Sequence, residues 1–101
     1  PELTALYAGS LAQAVGALHA AAELGRSVPD DLSLVSFDDM PLADYLRPPV
    51  TTIEMPLAEL GAAAVDALVD QLLGAPPRDV VVPSDPTVIV RMSTARPQVP
   101  A

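Results

Sequence analysis

Two short apolar runs, Leu3 to Ala8 and Leu32 to Phe37, flank an alanine- and leucine-rich stretch from Leu11 to Leu24. Each run has the length of a buried strand. The stretch between them is made of strong helix formers. Ser10 stands where a hydroxyl can accept an orphan amide of the first helical turn. Gly25 stands where a left-handed residue can close the last. Leu11, Val15, Leu18 and Ala22 give the helix one apolar stripe, and Pro29, Asp30 and Asp31 turn the chain. Strand, helix and strand within about 35 residues make a βαβ unit, whose strands must be parallel. The fold class is therefore α/β with a parallel sheet.

The rest of the chain continues this alternation. PLADYL (41–46) predicts a single helical turn, and Pro48 and Pro49 prevent its extension. Thr51 to Ile53 is extended. Pro56 suits a helix start, and the next helix runs to about Leu73, with Gly74 after it and a stripe of Leu57, Leu60, Ala64, Leu68 and Leu72. Val80 to Val82 and Val88 to Val90 read as two strands, separated by Pro83 and Pro86. The tail from Ala95 is expected to be loose.

In an open parallel sheet, ligands bind beyond the carboxyl ends of the strands. Ser10 follows the first strand and Asp38 the second, so both are expected on the same edge. Ser10 is read as an N-cap, a ligand contact, or both, because a helix N-terminus facing the crevice favours polar groups. Asp38 is the candidate ligand carboxylate, the alternative being a loop carboxylate that caps the turn after the strand. Asp39 should point the other way, since neighbours in an extended segment alternate. Its expected partners are local amides or an arginine. Arg91 reads as a structural ion pair, and Thr51 and Thr52 as satisfying backbone groups.

Composition removes several classes of function. The formal net charge is −8, and the five basic residues are all arginines. That is no cationic surface for nucleic acid or for an anionic membrane. Cysteine is absent, so there is no thiol chemistry and no Cys-based metal site. The one histidine, His19, has no second ligand near it, so no metal and no cofactor are expected. His19 lies over two turns from Ser10, which excludes a Ser-His-Asp triad with Asp38. No phosphate-binding glycine loop is present, and a phosphoryl-accepting receiver would need a lysine. An enzyme is not expected. No apolar run reaches the roughly 18 residues of a membrane helix, and PELTALYAG has no signal-peptide layout. The expectation is a cytoplasmic chain that is a piece of something longer.

Certain residues, in order, carry a family resemblance. They are Val28, Pro29, Asp31, Leu32, Ser33, Leu34, Val35, Phe37, Asp38 and Asp39, then Pro49, Val50, Thr51, Thr52 and Ile53. Glu59, Leu60 and Gly61 follow, then Arg91, Ser93 and Thr94. Over about residues 5 to 94 the chain resembles the C-terminal part of the LacI/GalR family of bacterial transcriptional regulators. The resemblance implies part of a periplasmic-binding-protein-like core, in which two α/β lobes close over a small molecule, usually a sugar or nucleobase. By that layout, 1–53 and about 85–94 belong to the C-terminal lobe, about 57–83 to the N-terminal lobe, and 95–101 is a tail. It also implies ligand contact by Asp38 and a homodimer, with Val15, His19 and Leu46 either at the subunit interface or ordinary surface and core positions. Tyr45 either stacks on a partner or fills a corner. DNA would be bound only through an N-terminal head outside this chain.

The sequence departs from the family where a helix-opening Asn-Asp pair is usual, since Ser10 and Leu11 stand there. Ser36 replaces the glycine before Phe37, and Met92 stands where Glu is common. The function implied is ligand sensing within a repressor. The rival is an extracytoplasmic sugar-binding protein of a transport system, which shares the fold.

Overall fold

The structure, a computed structural model, describes residues 3–98 and divides the chain into two compact units. One unit joins Pro1–Glu54 to Thr87–Ala101, and the other is Met55–Pro86. The first contains β1 (Ala5–Ala8), α1 (Leu11–Glu23), β2 (Ser33–Phe37), a 3-10 turn (Pro41–Asp44), β3 (Thr51–Glu54) and β4 (Thr87–Ile89). The second contains α2 (Leu57–Leu72).

The four strands form one sheet in the order β1-β2-β3-β4. β1, β2 and β3 are parallel, as the βαβ reading requires, and β4 joins the edge antiparallel to β3. The sheet is thus mixed but mostly parallel. In its register Leu6 faces Leu34, Ala8 faces Ser36, and Ser36 faces Thr52. The Ala8, Leu34, Ser36 and Thr52 side chains on that face are buried. α1 packs against β1 and β2, and Leu11 and Ala14 join Ala8, Leu34, Ala43 and Val50 in the core. On the opposite face Tyr7 and Val88 are exposed, and Val35, Phe37 and Ile53 are half-buried. Parallel sheets normally have both faces covered.

Both helices stop where glycine lets them. Gly25 takes φ +68 and Gly74 φ +102. After α1, Arg26 N donates to Ala21 O at 2.8 Å and Gly25 N to Ala22 O at 3.1 Å. After α2, Ala75 N donates to Asp70 O at 2.9 Å and Gly74 N to Gln71 O at 3.0 Å. These paired bonds satisfy the last carbonyls, and they need a left-handed residue after the cap.

Three expectations are corrected. The covered stripe of α1 is Leu11, Ala14 and Ala21 with Ala17 and Leu18 beside it, while Val15 and Ala22 face outward. Six of the 13 residues of α1 are alanine, so apolar character alone cannot fix its inner face. The leucine stripe of α2 is also open: Leu57, Leu68 and Leu72 are exposed, and no residue of α2 is buried. Along α2 itself, Leu60, Ala63 and Ala67 are the half-buried apolar positions. Finally, Val80 to Val82 forms no strand. Strand backbone needs a hydrogen-bonded neighbour, and none of the described residues pairs with it. This segment, Pro56 and Leu60 instead line an open cavity of about 300 Å³. Of the tail, Ala95 is held by Ser33, whose Oγ both accepts from Ala95 N and donates to Ala95 O. Residues 96–98 are exposed, and 99–101 lie outside the described residues.

Ser93 ties the sheet together where β2 and β3 begin. Its carbonyl accepts from Leu34 N at 2.8 Å, its Oγ accepts from Thr51 N at 2.8 Å, and its Oγ–H donates to Leu34 O. The residue is fully buried, so removing its hydroxyl strands two backbone groups away from water. Ser93→Ala is predicted to lower stability by about 2–3 kcal/mol in urea unfolding. An unchanged midpoint would mean that neither group depends on Ser93.

Candidate functional site at the carboxyl edge of the sheet

Ser10 and Asp38 each lie two residues beyond a paired register position, Ala8 and Ser36. The topology therefore brings both to the carboxyl edge of the parallel strands. Ser10 has extended backbone, and its Oγ accepts from Gln13 N at 3.2 Å. Gln13 reaches back, its Oε1 accepting from Gly9 N at 2.9 Å. This reciprocal capping fixes the start of α1. Accepting one bond leaves the Ser10 hydroxyl its own proton to donate. Leu11, by contrast, is 3% exposed and belongs to the core. A leucine at this position strengthens the packing of α1 on the sheet and offers nothing to a polar ligand.

Asp38 is the one non-glycine residue with positive φ among those described, at +82°. Aspartate tolerates this region better than most side chains. Its amide donates to Ile53 O at 3.0 Å, which fastens the end of β2 to β3. The side-chain bonds formed at this strand end go to its neighbour: Asp39 Oδ1 accepts from Thr52 Oγ1 at 2.7 Å and from Arg91 Nη2 at 2.7 Å. The two adjacent acids thus differ in employment, and Asp39 takes the arginine expected of it.

Arg91 is the centre of this cluster. Its Nε donates to Asp44 Oδ1 at 2.8 Å, and its Nη1 donates to Val50 O at 2.8 Å and to Thr52 Oγ1 at 2.9 Å. Its backbone N donates to Thr51 Oγ1 at 2.9 Å. The Arg91 side chain is only 13% exposed. One guanidinium therefore joins the end of β2, the 3-10 turn and β3, using the forked geometry that lysine lacks. Thr51 serves a backbone group as expected, whereas Thr52 bridges Asp39 and Arg91. Asp44 and the buried Ser93 are the members that sequence reasoning missed. Ser93 stood only within the resemblance, and its burial has no local signal.

The interface candidates separate. Val15 and His19 lie one helical turn apart on the exposed side of α1, with His19 Nε2 3.3 Å from Glu23 Oε1. Leu46 is half-buried and packs against the core. Tyr45 is exposed and fills no corner of this chain. Among the described residues no group of acids and histidine could hold a metal ion, and no helix is long and apolar enough to cross a membrane.

The Thr52 hydroxyl, and then Arg91, hold the Asp39 carboxyl below the ordinary carboxylate value of 3.8. A depressed acid adds stability that is complete above its unfolded value and disappears as pH falls through the lower folded value. Asp39→Asn is predicted to remove part of the acid-induced loss of stability below about pH 4, read from melting temperatures between pH 2 and 6. A variant with the wild-type acid limb would show that Asp39 does not contribute to it.

Comparison with known proteins places this geometry. Residues 1–94 match the periplasmic binding protein-like domain family. The HTH-type transcriptional regulator MalR of Streptomyces coelicolor is 40% identical over 94 residues, covering 93% of this chain and 27% of that protein. The structure of a LacI family transcriptional regulator from Mycobacterium smegmatis superposes with a TM-score of 0.85 at 40% identity, over 93% of this chain and 34% of the other. A LacI family regulator from Enterococcus faecalis V583, solved with bound ribose, gives a TM-score of 0.83 at 28% identity, over 97% and 37%. The chain thus spans about a quarter to a third of these three relatives, each a transcriptional regulator. The chain belongs to the periplasmic-binding-protein-like domain family, in the branch carried by LacI-family transcriptional regulators.

Proposed function

We propose that this chain is the effector-sensing part of a transcriptional repressor and that its effector is a sugar or a similar polyhydroxylated molecule. The observation that carries this reading is the pair of acids after β2. Arg91 and Thr52 bind Asp39, while Asp38 stands beside them on the carboxyl edge of the sheet. An ionised carboxylate accepts two hydroxyls at once through charge-assisted bonds. Ser10, at the matching position after β1, donates to a further oxygen. The ribose held by the Enterococcus faecalis relative supports a sugar over other small molecules.

The lobe assignment follows the same reading. Residues 1–53 and about 85–94 belong to one lobe, and about 57–83 to the other. The division of the chain at Glu54/Met55 and Pro86/Thr87 supports it. Effector binding shifts the balance between lobe arrangements and between relations of two copies, in which Val15, His19 and Leu46 take part. DNA contact belongs to a separate head, because a chain of net charge −8 repels phosphates.

In the full-length protein, Asp38→Asn is predicted to weaken sugar binding at least tenfold, or about 1.4 kcal/mol, with little change in melting temperature. The measurements are calorimetric titration with a panel of mono- and disaccharides, ribose included, and operator binding with and without the sugar that binds. Wild-type affinity in the variant would remove Asp38 from the site. Operator affinity that no panel member alters would remove the sugar-sensing reading.

A further inference from the structure

We propose that Asp39 and Arg91 are a positioning pair for Asp38, and that they set the affinity of the site for hydroxylated ligands. The inference rests on the reading of Asp38 as the ligand carboxylate. Its starting point is the backbone. A non-glycine residue at φ +82 is sparsely populated in free chains. Such a conformation persists only where the surroundings over-determine it, and it then concentrates at functional positions.

Here Asp38 is fixed from both sides. Before its side chain branches, its amide is held by Ile53 O. Immediately after it, Asp39 is held by Thr52 Oγ1 and Arg91 Nη2, each at 2.7 Å. Both anchors, Ile53 and Thr52, belong to β3, so the residue is pinned between two consecutive positions of one strand. The anchor is itself anchored. Asp44, Val50 O and the Thr52 hydroxyl hold the guanidinium, and Thr51 holds its backbone. Arg91 is therefore committed to Asp39 and Asp44 and does not neutralise Asp38. The arrangement keeps Asp39 as the bolt and leaves Asp38 as the acceptor.

The test uses the full-length protein with Asp39→Asn, and Arg91→Lys as a second variant should the first not fold. Three quantities are compared with wild type: affinity for the panel sugar that binds it, melting temperature, and hydrogen exchange at the Asp38 amide. A positioning role predicts affinity reduced at least about tenfold, the scale on which the loss of supporting groups weakens a site. It also predicts faster exchange at Asp38, with the rest of β2 protected as before. A lowered melting temperature with unchanged affinity would mark the pair as merely structural and overturn the proposal. A panel in which nothing binds the wild type would overturn the reading of Asp38 itself, and this inference with it.

Discussion

Arg91 makes a single planar cation serve three neighbouring pieces of chain that lie about 40 to 50 residues before it in sequence. Asp39 comes from the end of β2, Asp44 from the 3-10 turn, and Val50 and Thr52 from the entry to β3. Parallel strands cannot be joined by a tight turn, so the end of β2 and the start of β3 need a fastening that local sequence does not provide. A charged group this well covered is tolerable only when its donors are matched. Asp39, Asp44, a carbonyl and a hydroxyl match them. Ser93 adds neutral bonds at the start of the two strands, to the backbone of Leu34 and Thr51. β2 and β3 are thus tied together by residues that follow β4, the last strand of the sheet in chain order.

The apolar surface of the chain is unevenly covered. The face of the sheet under α1 is packed, while the opposite face leaves Tyr7 and Val88 in solvent. In the second unit α2 keeps a leucine stripe outside. Scattered exposed apolar residues are ordinary, but contiguous faces of this kind mark surfaces that are covered in an assembled protein. The relatives that match this chain are about three to four times its span.

The features legible in the sequence were those with a local cause. Ser10 capping α1, Gly25 and Gly74 ending the helices, and Pro48 and Pro49 confining the helical turn each act through their own backbone. The parallel β1–β2 pair followed from spacing alone. The features not legible depended on what touches what. Alanine at Ala14, Ala17 and Ala21 is apolar without showing which way it faces, so the inner side of α1 was misplaced toward Val15. Val80 to Val82 has strand composition but no strand beside it. At the candidate site, the placement of Ser10 and Asp38 was readable from topology, and an ionic role for Asp39 and for Arg91 from charge, but not that the two pair with each other. Asp44 and Ser93 were not, because their partners lie tens of residues away.

The pairing of β3 with β4 has a topological consequence. Glu54 faces Thr87 in an antiparallel ladder, so the chain leaves the sheet and returns to it at adjacent points. In strand geometry this is a β-hairpin whose turn has grown into the whole Met55–Pro86 unit. Ring-closure entropy rises only logarithmically, so a large excursion penalises the hairpin little more than a modest loop would. The excursion must nevertheless close before β4 exists. Arg91 and Ser93 stand just beyond β4, so the chain supplies the fastening of β2 to β3 only after its detour through the second unit.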